Sequence, residues 1–451
     1  MKHRYPFYFV FLCISIVFAN SNSRAQSTDT IQPKSEKKIK GWSFGAVPAI
    51  AYDSDIGFKY GGIVNFYDYG DGSTYPDYRH SIYLEWSRTT KGSGINQIAY
   101  DSKSLIKGIR LTGDLSYFIE QALDFYGFNG YEAAYNHTFE DDNPVNSLYK
   151  SRMFYRMDRR MLRFSLDFQS MNKKSKLQWL AGYSVFNNTI ADVDINQLNK
   201  GRDEADKLPA VDTNTSLFSK YKAWGVIPRD QQEGGTQQFM KIGLVYDTRD
   251  NEPNPMNGIW SEAILMVSPG FLGNKFSYTQ LAVTHRHYFT LKPKILNLAC
   301  RVSWQGKIQG KMPYYMLPLL YSSNKPARDG LGGAKTLRGI LRNRIVGEGM
   351  LYGNAELRWK FWRTSLFKQN FYMALCGFTD MGLVTHKFKF NTSNIPDSYK
   401  IVEDEERLHL SYGAGLHLVL NSNFIVSFDY GRSANIQDGE SGFYINLNFL
   451  Y

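Results

Sequence analysis

The sequence predicts an all-β protein, a transmembrane antiparallel β-barrel of about 16 strands with a long external loop folded into its lumen. Three observations carry this expectation: an export-type leader, recurring segments of about ten residues in which apolar and polar positions alternate, and abundant aromatic residues. There are 31 Tyr and 30 Phe in 451 residues. Mean hydropathy is nevertheless only −0.39. A wall that is apolar outside, wet inside and ringed by aromatic residues at both membrane interfaces has that composition.

The leader begins with basic Lys2, His3 and Arg4, continues with an apolar run over 7–19 and reaches a small-x-small site at Ser23-Arg24-Ala25. This predicts a signal peptide over 1–25, because the run is too short for a membrane-spanning helix. Residues 26–41 are polar and lysine-rich, which suits a flexible periplasmic lead-in, and the barrel is expected over 42–451. Beyond the leader, Cys300 and Cys376 both fall in expected strands, so no disulfide framework is implied and a single bridge between them stays open. The net charge is +11. Its basic residues gather at particular turns, and with export this argues against a nucleic-acid partner.

Strands are expected near 42–52, 55–68, 79–88, 94–102, 107–119, 156–170, 175–188 and 238–248. A second set is expected near 258–267, 278–290, 296–306, 349–361, 371–382, 408–420, 424–432 and 442–451. Ile109, Leu111, Leu115 and Tyr117, for example, oppose Arg110, Thr112, Asp114 and Ser116. An even count is what a single-chain bacterial barrel requires. With the C-terminus periplasmic, most short links fall on the periplasmic side. The long ones, near 125–155, 189–237, 307–348 and 386–407, fall outside. In the last strand Phe443, Ile445, Leu447, Phe449 and Tyr451 are expected to share one face. Ending on an aromatic residue, that strand resembles the signal read by outer-membrane assembly machinery.

The periplasmic turns collect Lys103, Lys107, Lys173, Lys174, Lys176, Lys292, Lys294, Lys360, Arg363 and Lys368, whereas Glu403-Asp-Glu-Glu406 is acidic and external. Basic turns suit anionic head groups of outer-membrane lipid, or simply keep the turns soluble.

The polar, glycine- and arginine-rich stretch 330–349 is too long for a hairpin turn and is expected to carry function. At its middle stands Leu337-Arg338-Gly339-Ile340. Other motifs follow in order: Asp247-Thr-Arg249-Asp250-Asn251 with Pro255-Met-Asn-Gly258, Tyr352-Gly-Asn-Ala-Glu356-Leu-Arg358, and Phe378-Thr-Asp380-Met-Gly382. Together they resemble the outer-membrane assembly barrels of the BamA/TamA type, also called bacterial surface antigens. The family's loop motif is V/L-R-G-F/Y, so Ile340 departs from the usual aromatic.

The resemblance implies insertion or translocation of proteins, with unfolded outer-membrane proteins as substrates and a periplasmic or lipoprotein partner. The family's assembly members capture substrate through POTRA domains, and residues 26–41 leave no room for one before the first expected strand. A short, barrel-only member acting with a partner is therefore expected. A passive or ligand-gated pore is the alternative.

Strand alternation separately places Glu356 with Asn354 and Arg358, and Asp380 with Cys376, on lumen faces of neighbouring strands. Arg338 on a descending loop could then meet Asp380 bidentately with Glu356 nearby. Asp247, Arg249, Asp250, Pro255 and Gly258 read as a tight charged turn. His285 and His287 lie two apart on one strand without a third ligand at useful spacing. His417 has no evident Ser partner. Neither a nucleophile elbow nor a phosphate loop is present, so no enzyme, cofactor or metal is expected.

Overall fold

The computed structural model describes residues 40–451, apart from 74–77, 144, 172–174, 202, 205–206, 209–215, 324–325, 367–368, 397–404, 421–423 and 448. The expected leader and most of the lead-in lie outside the described residues, as do Lys173, Lys174, Lys368, Glu403 and Asp404.

The first half of the wall comprises β1 (Trp42–Pro48), β2 (Ala51–Asp53), β3 (Gly57–Asp68), β4 (His80–Thr89), β5 (Ser93–Ile106), β6 (Ile109–Asp124), β7 (Arg156–Ser170), β8 (Leu177–Ala191) and β9 (Gly234–Asp247). The second half comprises β10 (Gly258–Ser268), β11 (Tyr278–Lys292), β12 (Leu296–Gly310), β13 (Gly349–Leu366), β14 (Gln369–His386), β15 (His409–Leu420), β16 (Phe424–Ser433) and β17 (Ser441–Leu447). Each pairs antiparallel with its neighbour, and β17 returns to β2. Both β1 and β2 pair with β3, so these 17 segments form 16 staves of a closed barrel.

The first stave was expected to be continuous. It breaks at Ala49 and Ile50, immediately after Pro48, a residue that cannot donate to a ladder. β13 and β14 run past the expected 361 and 382, to Leu366 and His386.

Alternation sorts the residues across the wall. On β5, β6 and β7 the side chains of Ile98, Leu115, Leu162 and Phe164 are exposed outward, whereas Gln97, Ser116, Arg163 and Ser165 are buried within. The sorting has a strong cause: Arg or Lys on the lipid face near mid-membrane costs roughly 2–4 kcal/mol. Cys300 lies on the outer side of β12 and Cys376 on the inner side of β14, so the two thiols are separated by the wall and both are free. That closes the question of a bridge.

Long connections at one end fold inward rather than standing free. Phe125, Phe128, Phe218, Tyr221, Tyr314 and Phe388 come from four of them and pack as one buried aromatic cap. Ring centroids are 5.5 Å apart for Phe125–Phe218 and 4.8 Å for Phe128–Phe388. The opposite end carries short turns, where Lys107, Lys176, Lys292, Lys294 and Arg363 are exposed. Lys360, expected among them, is instead buried over the Tyr372 ring, with Nζ 3.4 Å from Asn254 Oδ1.

The closure between last and first staves is sparse. Two register pairs, Tyr444↔Asp53 and Ile445↔Tyr52, join β17 to β2, against seven joining β16 to β17. Among the described residues β1 pairs with β3 alone, leaving its other edge without a ladder partner.

Candidate functional site in the barrel lumen

Residues 330–349 lie in the lumen, where Leu331, Leu337, Ile340 and Ile345 pack with Met350, Tyr352 and Val384 of the wall. Ile340 is buried in this apolar cluster. At this position the chain needs an apolar filler, and an aliphatic side chain supplies it.

Arg338 is the polar centre. Its Nε stands 3.0 Å and its Nη2 3.2 Å from the two oxygens of Asp380, while Nη1 is 2.8 Å from Glu356 Oε2. The Arg338 backbone N–H also donates to Asp380, at 3.0 Å, and Asp429 lies 3.7 Å from Nη1. The guanidinium carbon sits 3.5 Å from the centre of the Phe378 ring. All three ion-paired side chains are essentially inaccessible, at 1% for Arg338 and 0% for Asp380 and Glu356. A forked donor facing two carboxylates needs a planar guanidinium, which a lysine cannot mimic. Asn354 completes the arrangement by donating to Asp380 (2.8 Å) and to the Thr336 carbonyl (2.7 Å).

Gly339 makes this approach possible. Its φ is +88°, and a Cβ there would lie 2.5 Å from the backbone of Gly431 and Arg432 on β16. Its N–H donates to the Tyr444 hydroxyl at 3.1 Å. Gly339→Val should therefore combine left-handed strain of about 1–3 kcal/mol with a backbone collision. Loss of heat-modifiable mobility at a lower temperature on electrophoresis would register it; unchanged mobility would contradict the close packing.

Two further arginines of the loop reach other walls. Arg342 pairs with Glu120 of β6 and lies 2.8 Å from Asp329, and Glu120 also takes Arg159 Nε at 2.8 Å. Burial would raise the Asp329 carboxyl, but Arg342, Arg328 and Arg159 outweigh it and hold it below the ordinary carboxylate range. Arg344 donates to the carbonyls of Gln437 (2.7 Å) and Gly130 (2.9 Å). This Glu120 cluster escaped the sequence reading. Its signal was the strand phase that puts Glu120 and Arg159 inward on register-paired residues of β6 and β7.

The Omp85 superfamily domain matches residues 101–449. The chain belongs to the Omp85 superfamily. Among solved structures, BamA from Haemophilus ducreyi lacking POTRA domains 1–3 superposes with a TM-score of 0.51 at 16% identity, over 91% of this chain and 71% of that one. CdiB from Acinetobacter baumannii gives a TM-score of 0.45 at 13% identity, over 91% and 66% respectively. No curated protein matches the chain.

In this Omp85 barrel the 247–258 motif is a turn at the short-turn end. Arg249 Nε and Nη2 lie 3.0 and 2.6 Å from Asp247. Asp250 accepts the N–H groups of Met256 and Asn257, and the Pro255 carbonyl accepts from Asn297. Gly258 has φ +109°, and a Cβ would meet the Thr248 carbonyl oxygen at 2.4 Å. Asp247 and Arg249 also border a polar lumen cavity of about 530 Å³, together with Asp101, Arg110, Asp114 and Arg163.

The C-terminal alternation ends early. Phe443 and Leu447 are exposed on the outer face, and Ile445 shares their phase on β17. Phe449 and Tyr451, expected on that same face, turn into the lumen instead. Phe449 lies under the Arg358 guanidinium at 3.9 Å, and the Tyr451 hydroxyl donates to the Ala299 carbonyl at 2.8 Å. The physical reason is local. The β16–β17 ladder ends at Leu447, and buried Arg358 and Arg301 both lie against rings of this tail.

His285 and His287 lie on the outward side of β11, where His285 Nδ1 is 2.7 Å from the Ser261 hydroxyl. His417 points inward, between Asp429 and Cys376.

Proposed function

We propose that this chain inserts or translocates proteins, or lipids, at the bacterial outer membrane together with a periplasmic or lipoprotein partner. In this reading it performs no covalent chemistry. The short-turn end and the C-terminus face the periplasm, and the exposed basic turns there contact anionic lipid head groups. Family membership supports the class of activity. The observation that carries the mechanism is the two-pair closure of β17 on β2. A strand edge left free beside it can template an incoming strand, as exposed edges do.

Tyr52 and Ile445 are register partners across that closure. Cysteines at both positions are within the Cα separation a disulfide tolerates. Oxidation of Tyr52→Cys/Ile445→Cys is expected to block insertion of other outer-membrane proteins, with recovery on reduction. Equal activity of the oxidised and reduced forms would remove the opening closure from the mechanism.

The polar lumen cavity favours a second reading, a passive or ligand-gated pore. Its mark would be steady conductance in planar bilayers, with depletion of the chain leaving other outer-membrane proteins unaffected. The buried aromatic cap at the long-loop end favours the first reading.

A further inference from the structure

The lumen holds a second polar constellation that shares only Glu356 with the loop contact. Cys376 on β14, His417 on β15 and Glu356 on β13 each present one ligand atom, and those atoms lie within 4.8 Å of one another. Cys376 Sγ and His417 Nδ1 are 3.3 Å apart. We propose that these three side chains form a binding site for a divalent transition metal, with zinc the best chemical fit.

The donor set is one thiolate, one imidazole and one carboxylate, the ligand types zinc takes, with a fourth position left for water. The imidazole is oriented as metal-binding histidines are. Its Nε2 stands 2.9 Å from Asp429 Oδ1, so that nitrogen donates its proton to the carboxylate and Nδ1 turns its lone pair toward Cys376. Room for this pair is made by Gly415, where a Cβ would lie 2.0 Å from Asp429 Oδ1 and 3.1 Å from His417 Nε2. A side chain at 415 would destroy the His–Asp contact.

Charge also suits a cation. Asp380, Glu356 and Asp429 all face Arg338, and Arg358 Nε meets Glu356 Oε1 at 2.6 Å. Three carboxylates face two guanidiniums in this ion-paired set, and the nearby buried Arg301 brings the charges to balance. The Cys376 thiolate would then supply the negative charge that a metal pairs with. The inward-turned tail covers the place, with the Phe449 ring 5.1 Å from that of His417. Metal binding would release the thiol proton to solvent and tie three adjacent staves together. Because Glu356 also holds Arg338, occupancy would bear on the loop.

Cobalt(II) alone is the probe, added to the purified, folded barrel. The expected result is a single bound equivalent with the near-ultraviolet charge-transfer band of a cobalt–thiolate bond. Cys376→Ser should abolish the band and Cys300→Ser should leave it intact. Asp429→Asn should keep the band and weaken affinity by roughly 10–100-fold. No band in the unaltered protein at saturating cobalt, or a band that survives Cys376→Ser, overturns the proposal. Should Cys376→Ser fail to fold, alkylation of the unaltered protein decides. Zinc must slow the modification of Cys376 and not of Cys300, and equal rates with and without zinc overturn the site.

Discussion

Arg338→Ala is expected to cost the folded barrel about 3–5 kcal/mol and to free residues 330–349 from their lumen contacts. The magnitude follows from what the substitution leaves behind. Asp380 and Glu356 are 0% exposed, and both lose their shared guanidinium while staying buried. Glu356 keeps Arg358, but among the described residues Asp380 is left without a guanidinium, and unpaired buried charge is costlier than an absent pair. Arg338→Lys should recover only part of the loss, since one ammonium cannot bond Asp380 through two parallel donors and reach Glu356 as well. Asp380→Ala should resemble Arg338→Ala. Limited proteolysis of 330–349 in folded protein and the temperature of heat-modifiable unfolding are the measurements. An Arg338→Ala barrel with a protease-resistant loop and unchanged unfolding would refute the assignment of Arg338 as the loop's anchor.

Glu120→Ala is the second large effect, again about 3–5 kcal/mol. Glu120 is 0% exposed and faces Arg159, Arg342 and, at 3.6 Å, Arg328. Without it, Asp329 is the one ion-pair partner that the three guanidiniums keep among the described residues. Removing one of the surplus cations should then help, so Glu120→Ala/Arg328→Ala is expected to be more stable than Glu120→Ala itself. A double-mutant cycle on unfolding temperatures measures the coupling. Additive losses would mean that the cluster is solvated rather than mutually dependent.

The wall was legible in the sequence because a membrane strand writes its two faces into alternate residues. Ile109, Leu115 and Tyr117 against Arg110, Asp114 and Ser116 needed only that period. The contact among Arg338, Asp380 and Glu356 was reachable for a related reason, since phase decides which carboxylates face inward and the loop motif offers one arginine. What escaped depends on distances between staves or on chain ends. Glu120 meets Arg342 across 222 positions, and no local pattern marks that. Cys376 and His417 are 41 apart on neighbouring staves, so their pairing depends on register as well as phase. Phe449 and Tyr451 kept the apolar rhythm of β17 but lacked a ladder to continue it. The aromatic cap was hidden for another reason: its rings lie in connections, where periodicity is silent.

The loop's arginines have a mechanical consequence. Arg338 grips β13 and β14 through Glu356 and Asp380, and Arg342 grips β6 through Glu120. Counting β1 and β2 as one, β6 and β14 stand eight staves apart in a ring of 16, on opposite sides of the cylinder. The loop is thus a tie rod spanning the diameter. A hoop braced in this way resists stretching along the rod, because drawing those two sides apart must break the ion pairs of Arg338 or of Arg342.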